Sequence, residues 1–81
     1  MKRATTEVQL PDLGEIEGAV VVGWLRSVGD VVQEGEDLVE VETEKTTFVV
    51  PAPASGRLAS VTAEEGKRVQ VGDRLGDIAA E

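Results

Sequence analysis

Apolar and polar residues alternate along this chain in short runs, and no segment keeps an apolar i, i+3, i+4, i+7 pattern over a helical length. In Val39-Glu40-Val41-Glu42-Thr43-Glu44, the three glutamates fall on one face of a strand, and Val39, Val41 and Thr43 on the other. Leu38 beside Val39 blurs the start of that alternation. Valine supplies 14 residues, and β-branched side chains favour strands. Glycines and Gly-Asp pairs interrupt the runs at short intervals. About eight strands are predicted, near Glu7–Leu10, Val20–Arg26, Val31–Gln33, Leu38–Glu42, Thr46–Val50, Arg57–Thr62, Arg68–Gln70 and Leu75–Ala79. Short strands with regular turns make an all-β sandwich or barrel.

A repeat organises these strands. Gly29-x-x-Val32-Gln33-x-Gly35-x-x-Leu38-x-x-Val41 matches Gly66-x-x-Val69-Gln70-x-Gly72-x-x-Leu75-x-x-Ile78 at a constant offset of 37 residues. Two copies of one pattern predict a barrel with pseudo-two-fold symmetry. Gly29, Gly35, Gly66 and Gly72 are expected to supply positive φ at matching turns. Glu44 maps onto Glu81, so Lys45 falls where the second copy ends. The symmetry mate of the Lys45 turn is then the pair of chain ends, which places Lys45 at the opposite edge of the barrel. The tip Glu44-Lys45-Thr46 has no glycine, which is compatible with a type I turn of ordinary residues.

Composition narrows the function. The 81 residues fit one domain, 1–81, with an ordered core expected at about 7–80. Such a domain buries only about 60% of its unfolded surface and leaves little room for a deep pocket. There is no His, Cys or Tyr, so the commonest general base, a thiol nucleophile and a Cys/His zinc site are all excluded. Net charge is −8, which disfavours nucleic acid and anionic membrane surfaces and favours a soluble monomer. Seven of the acids lie between Asp30 and Glu44 with no base among them. They form either a solvated face or a footprint for a docking enzyme. The start of the chain has no signal-peptide pattern and no run long enough to span a membrane. Cytoplasm is the default expectation.

The chain has three lysines. Lys2 lies near the start, and Lys67 aligns with Asp30 in an ordinary turn. Lys45 stands at a hairpin tip between two strand-like runs. Trp24 and Phe48 are expected in or near the core. Pro51 and Pro53 should end a strand and stiffen the crossover between the halves.

Glu40-Val41-Glu42-Thr43-Glu44-Lys45-Thr46 resembles the lipoylation motif of lipoyl domains, whose centre is usually Asp-Lys-Ala. Leu10-Pro11-Asp12-Leu13-Gly14-Glu15, Trp24-Leu25-x-x-x-Gly29-Asp30-x-Val32, Val50-Pro51-Ala52-Pro53-x-x-Gly56 and Gly66-x-x-Val69-x-Val71-Gly72-x-x-Leu75 resemble other segments of that family, in order. The resemblance runs from about Val8 to Ile78, and it implies an all-β flattened barrel of two four-stranded antiparallel sheets with pseudo-two-fold symmetry, a barrel-sandwich hybrid. It implies lipoate in amide linkage to Lys45, flanked by Glu44 and Thr46 as recognition residues. It implies a carrier with no catalytic residues of its own, within a dihydrolipoamide acyltransferase. The partners it implies are a thiamine-dependent 2-oxo acid decarboxylase, the acyltransferase core, dihydrolipoyl dehydrogenase, and a lipoate ligase or the enzymes of lipoyl synthesis. The loop Gly14-Glu15-Ile16-Glu17-Gly18 matches the family's partner-recognition loop but is shorter than in many members. Two alternatives stand beside this reading. A biotinyl carrier shares the fold but favours Met on both sides of the lysine. An unmodified barrel used as an adaptor usually has a broken hairpin.

Overall fold

The computed structural model describes residues 4–12, 14 and 18–80. Eight strands follow in order: β1 Thr5–Gln9, β2 Ala19–Trp24, β3 Val31–Val32, β4 Asp37–Glu42, β5 Thr47–Pro51, β6 Gly56–Val61, β7 Arg68–Val69 and β8 Arg74–Ala79. They form two antiparallel four-stranded sheets, ordered β1-β8-β6-β3 and β5-β4-β2-β7. The two orders are the same sequence of mates. β2, β3 and β4 map onto β6, β7 and β8 at an offset of 37, and β1 maps onto β5 at 42. The five-residue difference is the extra length of the β1–β2 loop, which includes Gly14 to Gly18.

The expected repeat therefore extends to individual backbone bonds. Gly29 N–H donates to Leu58 O and Gly66 N–H to Val21 O, both at 2.8 Å. Gly35 N–H donates to Ala52 O at 2.9 Å and Gly72 N–H to Leu10 O at 2.8 Å. All four glycines have positive φ, between 87° and 99°, as these turns require. A carboxylate caps the turn after each short strand: Glu36 accepts from Gln33 N–H, and Asp73 from Gln70 N–H. Glu36 is also held by Arg26 at 2.9 Å, and that hydrogen bond, with the backbone one, lowers its carboxyl below the usual range.

The inner faces of the two sheets make one core. Val8, Val21, Val32, Leu38 and Val41 from the first half meet Val50, Leu58, Val69, Leu75 and Ile78 from the second. Leu38 and Val39 are both fully buried, because the β4–β5 register shifts between Asp37 and Val39. That bulge resolves the blurred alternation. Trp24 and Phe48 pack against the core from partly buried positions, and Pro51 closes β5, as expected. β1 starts at Thr5 rather than Glu7, since Thr5 and Thr6 find partners in Ala79 and Ile78. β2 stops at Trp24, two residues earlier than expected.

Around Gly76 the core departs from the symmetry. Val39 and Gly76 are mates, and so are Trp24 and Val61. A Cβ on Gly76 would lie 2.9 Å from Trp24 Cη2 and 2.5 Å from Ser60 O. The indole fills the space that a second valine would take, and its Nε1–H donates to Ala63 O at 2.8 Å. Volume is conserved by pairing a large residue with none. Gly76→Ala should therefore lower the unfolding free energy by about 1–3 kcal/mol. Gly23→Ala, where a Cβ meets nothing within 4 Å, should stay within about 0.5 kcal/mol. Urea denaturation of both variants checks this contrast.

Candidate functional site: the Lys45 turn

Cross-strand pairing builds the turn. β4 and β5 remain in register as far as Glu42 opposite Thr47, which leaves Thr43 to Thr46 to reverse the chain. The inward parity of β4 continues through Val39, Val41 and Thr43. Thr43 is the buried polar residue of the described core, at 8% exposure. A hydroxyl there must be hydrogen-bonded or it costs about 1–3 kcal/mol.

The Thr43 hydroxyl is fully used. It accepts from Lys45 N–H at 3.2 Å and from Thr46 N–H at 3.1 Å, and donates to Thr46 O at 2.9 Å. Thr43 N–H donates to the same carbonyl at 2.8 Å. No described non-glycine residue has positive φ, as expected for ordinary turn residues. The closing bond, however, comes from a side chain rather than from the backbone carbonyl of a type I turn. The alternation puts Thr43 on the face opposite the glutamates and gives it no role. The available signal was a hydroxyl residue continuing an apolar stripe into a turn.

Glu44, Lys45 and Thr46 are all exposed. The Lys45 side chain makes no hydrogen bond or ion pair among the described residues. Its backbone is fixed while its amine is free to reach into solvent. The place of the tip follows from the register. Val20 pairs with Glu42, and the adjacent Ala19 pairs with Val69 on β7. β7 leads through Gly72 to Arg74, the start of β8. Ala80 N–H donates to Ala4 O at 2.9 Å at the other end of β8, and this bond is the mate of Thr43 N–H to Thr46 O. Lys45 thus sits at the opposite edge from the described chain ends. Glu81 lies outside the described residues.

Of the expected recognition loop, Gly14 and Gly18 are described, and Glu15, Ile16 and Glu17 lie outside the described residues. Gly14 has φ of 103° and donates its N–H to Asp12 Oδ1 at 3.0 Å. A Cβ on Gly18 would stand 2.8 Å from Val69 O, so only glycine lets the loop return this close to β7. Gly18 shares a shallow groove with Ala19, Val20, Glu42, Thr43, Glu44 and Arg68. The structure thus brings the end of that loop beside the Lys45 turn.

A family model for biotin and lipoyl attachment, described as biotin-requiring enzyme, matches residues 6–78. A solved lipoyl domain of the 2-oxoglutarate dehydrogenase complex from Azotobacter vinelandii is 32% identical, with a TM-score of 0.71, covering 93% of this chain and 95% of that one. The chain belongs to the lipoyl domain family. The domain is also 43% identical, over 94% of its length, to the dihydrolipoyllysine-residue succinyltransferase component of a 2-oxoglutarate dehydrogenase complex from Bartonella vinsonii subsp. berkhoffii. It is 38% identical, over 91% of its length, to the dihydrolipoyllysine-residue acetyltransferase component of the pyruvate dehydrogenase complex from Corynebacterium glutamicum. It spans 19% and 12% of those proteins, respectively. Urea carboxylase from Kluyveromyces lactis contains the same fold, with a TM-score of 0.79 at 23% identity, over 96% of this chain and 6% of that one. The lipoyl reading is thus the better supported, and the biotinyl one the less.

The turn makes a prediction of its own. Thr43→Val should destabilise the domain by about 1–3 kcal/mol and speed amide exchange at Thr46. Thr43→Ser, which keeps the hydroxyl, should remain close to wild type. Hydrogen exchange followed by NMR distinguishes the two.

Proposed function

We propose that Lys45 carries lipoate in amide linkage and that the domain is the swinging-arm carrier of a 2-oxo acid dehydrogenase complex. One observation carries this reading: an exposed lysine on a turn closed by its own neighbour Thr43, at the edge of the barrel away from the chain ends. The donor set fits the group. The Lys45 amine has no competing partner among the described residues, and Glu44 and Thr46 leave it open to a modifying enzyme.

Attachment forms a bond from the deprotonated Nζ to the activated carboxyl carbon of lipoate. The bond from that carbon to its activating group breaks, and that group departs with the remaining amine proton. The neutral amide left removes one positive charge from the tip. Bound there, lipoate supplies a dithiolane that takes up an acyl group and reducing equivalents and gives them up again. The work of this chain is positional. Thr43 holds the Lys45 backbone, so the arm pivots from one reproducible point, and tethering raises its effective concentration at each partner. Those partners would be a thiamine-dependent decarboxylase, the acyltransferase core and dihydrolipoyl dehydrogenase. A lipoate ligase or the lipoyl synthesis enzymes would load the arm. The loop Gly14 to Gly18, whose last residue shares a groove with Thr43 and Glu44, would help a decarboxylase distinguish its own carrier.

Intact mass after co-expression with a lipoate ligase tests the assignment. Wild type and Lys67→Arg should each gain one lipoyl group, and Lys45→Arg none. A gain that persists in Lys45→Arg would sink it, and modification by a biotin ligase instead would favour the biotinyl alternative. The loop is tested by reductive acylation with several purified decarboxylases, where equal rates would count against selectivity.

A further inference from the structure

The pseudo-symmetry provides an internal control for every surface position. The outer face of the β5-β4-β2-β7 sheet carries Val20 opposite Glu42 and Val49 opposite Glu40, with Val22 in the β2 bulge between Val21 and Gly23. Val22 is 39% exposed and Val49 42%. Their mates on the other sheet are Arg57, Ala59 and Glu7. Those strands form equally well with charged or small residues outward, so strand formation does not require the valines.

The acids differ in the same way. Asp77, the mate of Glu40, is paired within the chain: Ser60 donates to it at 2.7 Å and Arg74 at 2.9 Å. At the mates of those two partners stand Gly23 and Asp37. Glu40 therefore has its bonding groups replaced by a glycine and a second acid, and it makes no hydrogen bond or ion pair among the described residues. Arg68, across Val20 from Glu42, also makes no ion pair with them. One sheet pairs its central acid, and the other leaves Glu40 and Glu42 open beside the half-buried Val20 and the exposed Val22 and Val49.

We infer that this outer face, Val20, Val22 and Val49 around Glu40 and Glu42, is the docking surface for a basic patch on the decarboxylase. The inference rests on the reading of the chain as a lipoyl carrier. Two observations select this occupant. The face is acidic and apolar, which complements a basic surface and repels a second copy of itself. It also runs without a break into the Lys45 turn, since Glu42 is the last residue before Thr43. A partner seated on it has the arm at its edge.

The test transplants one sheet's chemistry onto the other. Gly23→Ser with Asp37→Arg rebuilds around Glu40 the partners that Asp77 has, and Gly23 has space for the added Cβ. Val22→Ala with Val49→Glu installs the residues of the mates. Each double variant, fully lipoylated, is assayed for reductive acylation by purified decarboxylases of the pyruvate and 2-oxoglutarate type. The decarboxylase with the lowest wild-type KM is used. Both variants should raise KM for the domain about five- to tenfold with kcat unchanged, a change of the size expected for interface side chains. The wild-type KM should rise with salt more steeply than that of the variant combining Gly23→Ser and Asp37→Arg. Glu7→Gln on the opposite sheet should change nothing. Wild-type KM values in either folded double variant would overturn the docking face while leaving the carrier reading intact. No acylation of lipoylated wild type by any decarboxylase would overturn both.

Discussion

Two four-stranded sheets bury their inner faces against each other, and everything else in the domain depends on that contact. Neither sheet can stand alone in water with one apolar face exposed. The chain is small and has no cysteine to add a covalent brace. Its stability therefore rests on matched layers of Val, Leu and Ile contributed by both halves. The symmetry follows from this. A pattern that buries one sheet correctly also buries its copy, down to paired turn glycines and the carboxylates that cap them.

The site uses the one place where symmetry demands a connection and permits a difference. Near one edge of the barrel the two halves end at the chain termini, closed by Ala80 to Ala4. At the other edge the equivalent bond, Thr43 to Thr46, has a covalent turn across it. That turn holds Lys45 in a fixed frame without burying it. A buried lysine would carry a desolvation cost, and one on a loose loop would present no fixed position to an enzyme. Thr43 meets both requirements, because its backbone belongs to the strand and its hydroxyl belongs to the turn.

Departures from the repeat mark where packing or function overrides it. Trp24 opposite Gly76 is a packing exchange confined to the core. The β1–β2 loop is five residues longer than its mate, and its last residue, Gly18, lies beside the tip. The outer faces diverge most: one sheet pairs Asp77 with Arg74 and Ser60, and the other leaves Glu40 open. Divergence concentrated on the outside is expected when the inside must satisfy one close-packed geometry twice.

Most of the architecture was legible in the residues themselves. Alternation locates strands, a 37-residue repeat relates them, and mapping Glu44 onto the end of the chain singles out Lys45. These are local or periodic signals, and the backbone obeys them because side-chain parity and glycine φ are local properties. Three features were decided only in three dimensions. The Thr43 hydroxyl closes the turn because β4 and β5 pair to Glu42 and Thr47 and leave it buried. Gly76 is glycine because Trp24, far away in sequence, takes its space. Glu40 is open and Asp77 paired because their neighbours come from strands that meet only in the folded sheets, and cross-strand partners are not written in the order of the chain.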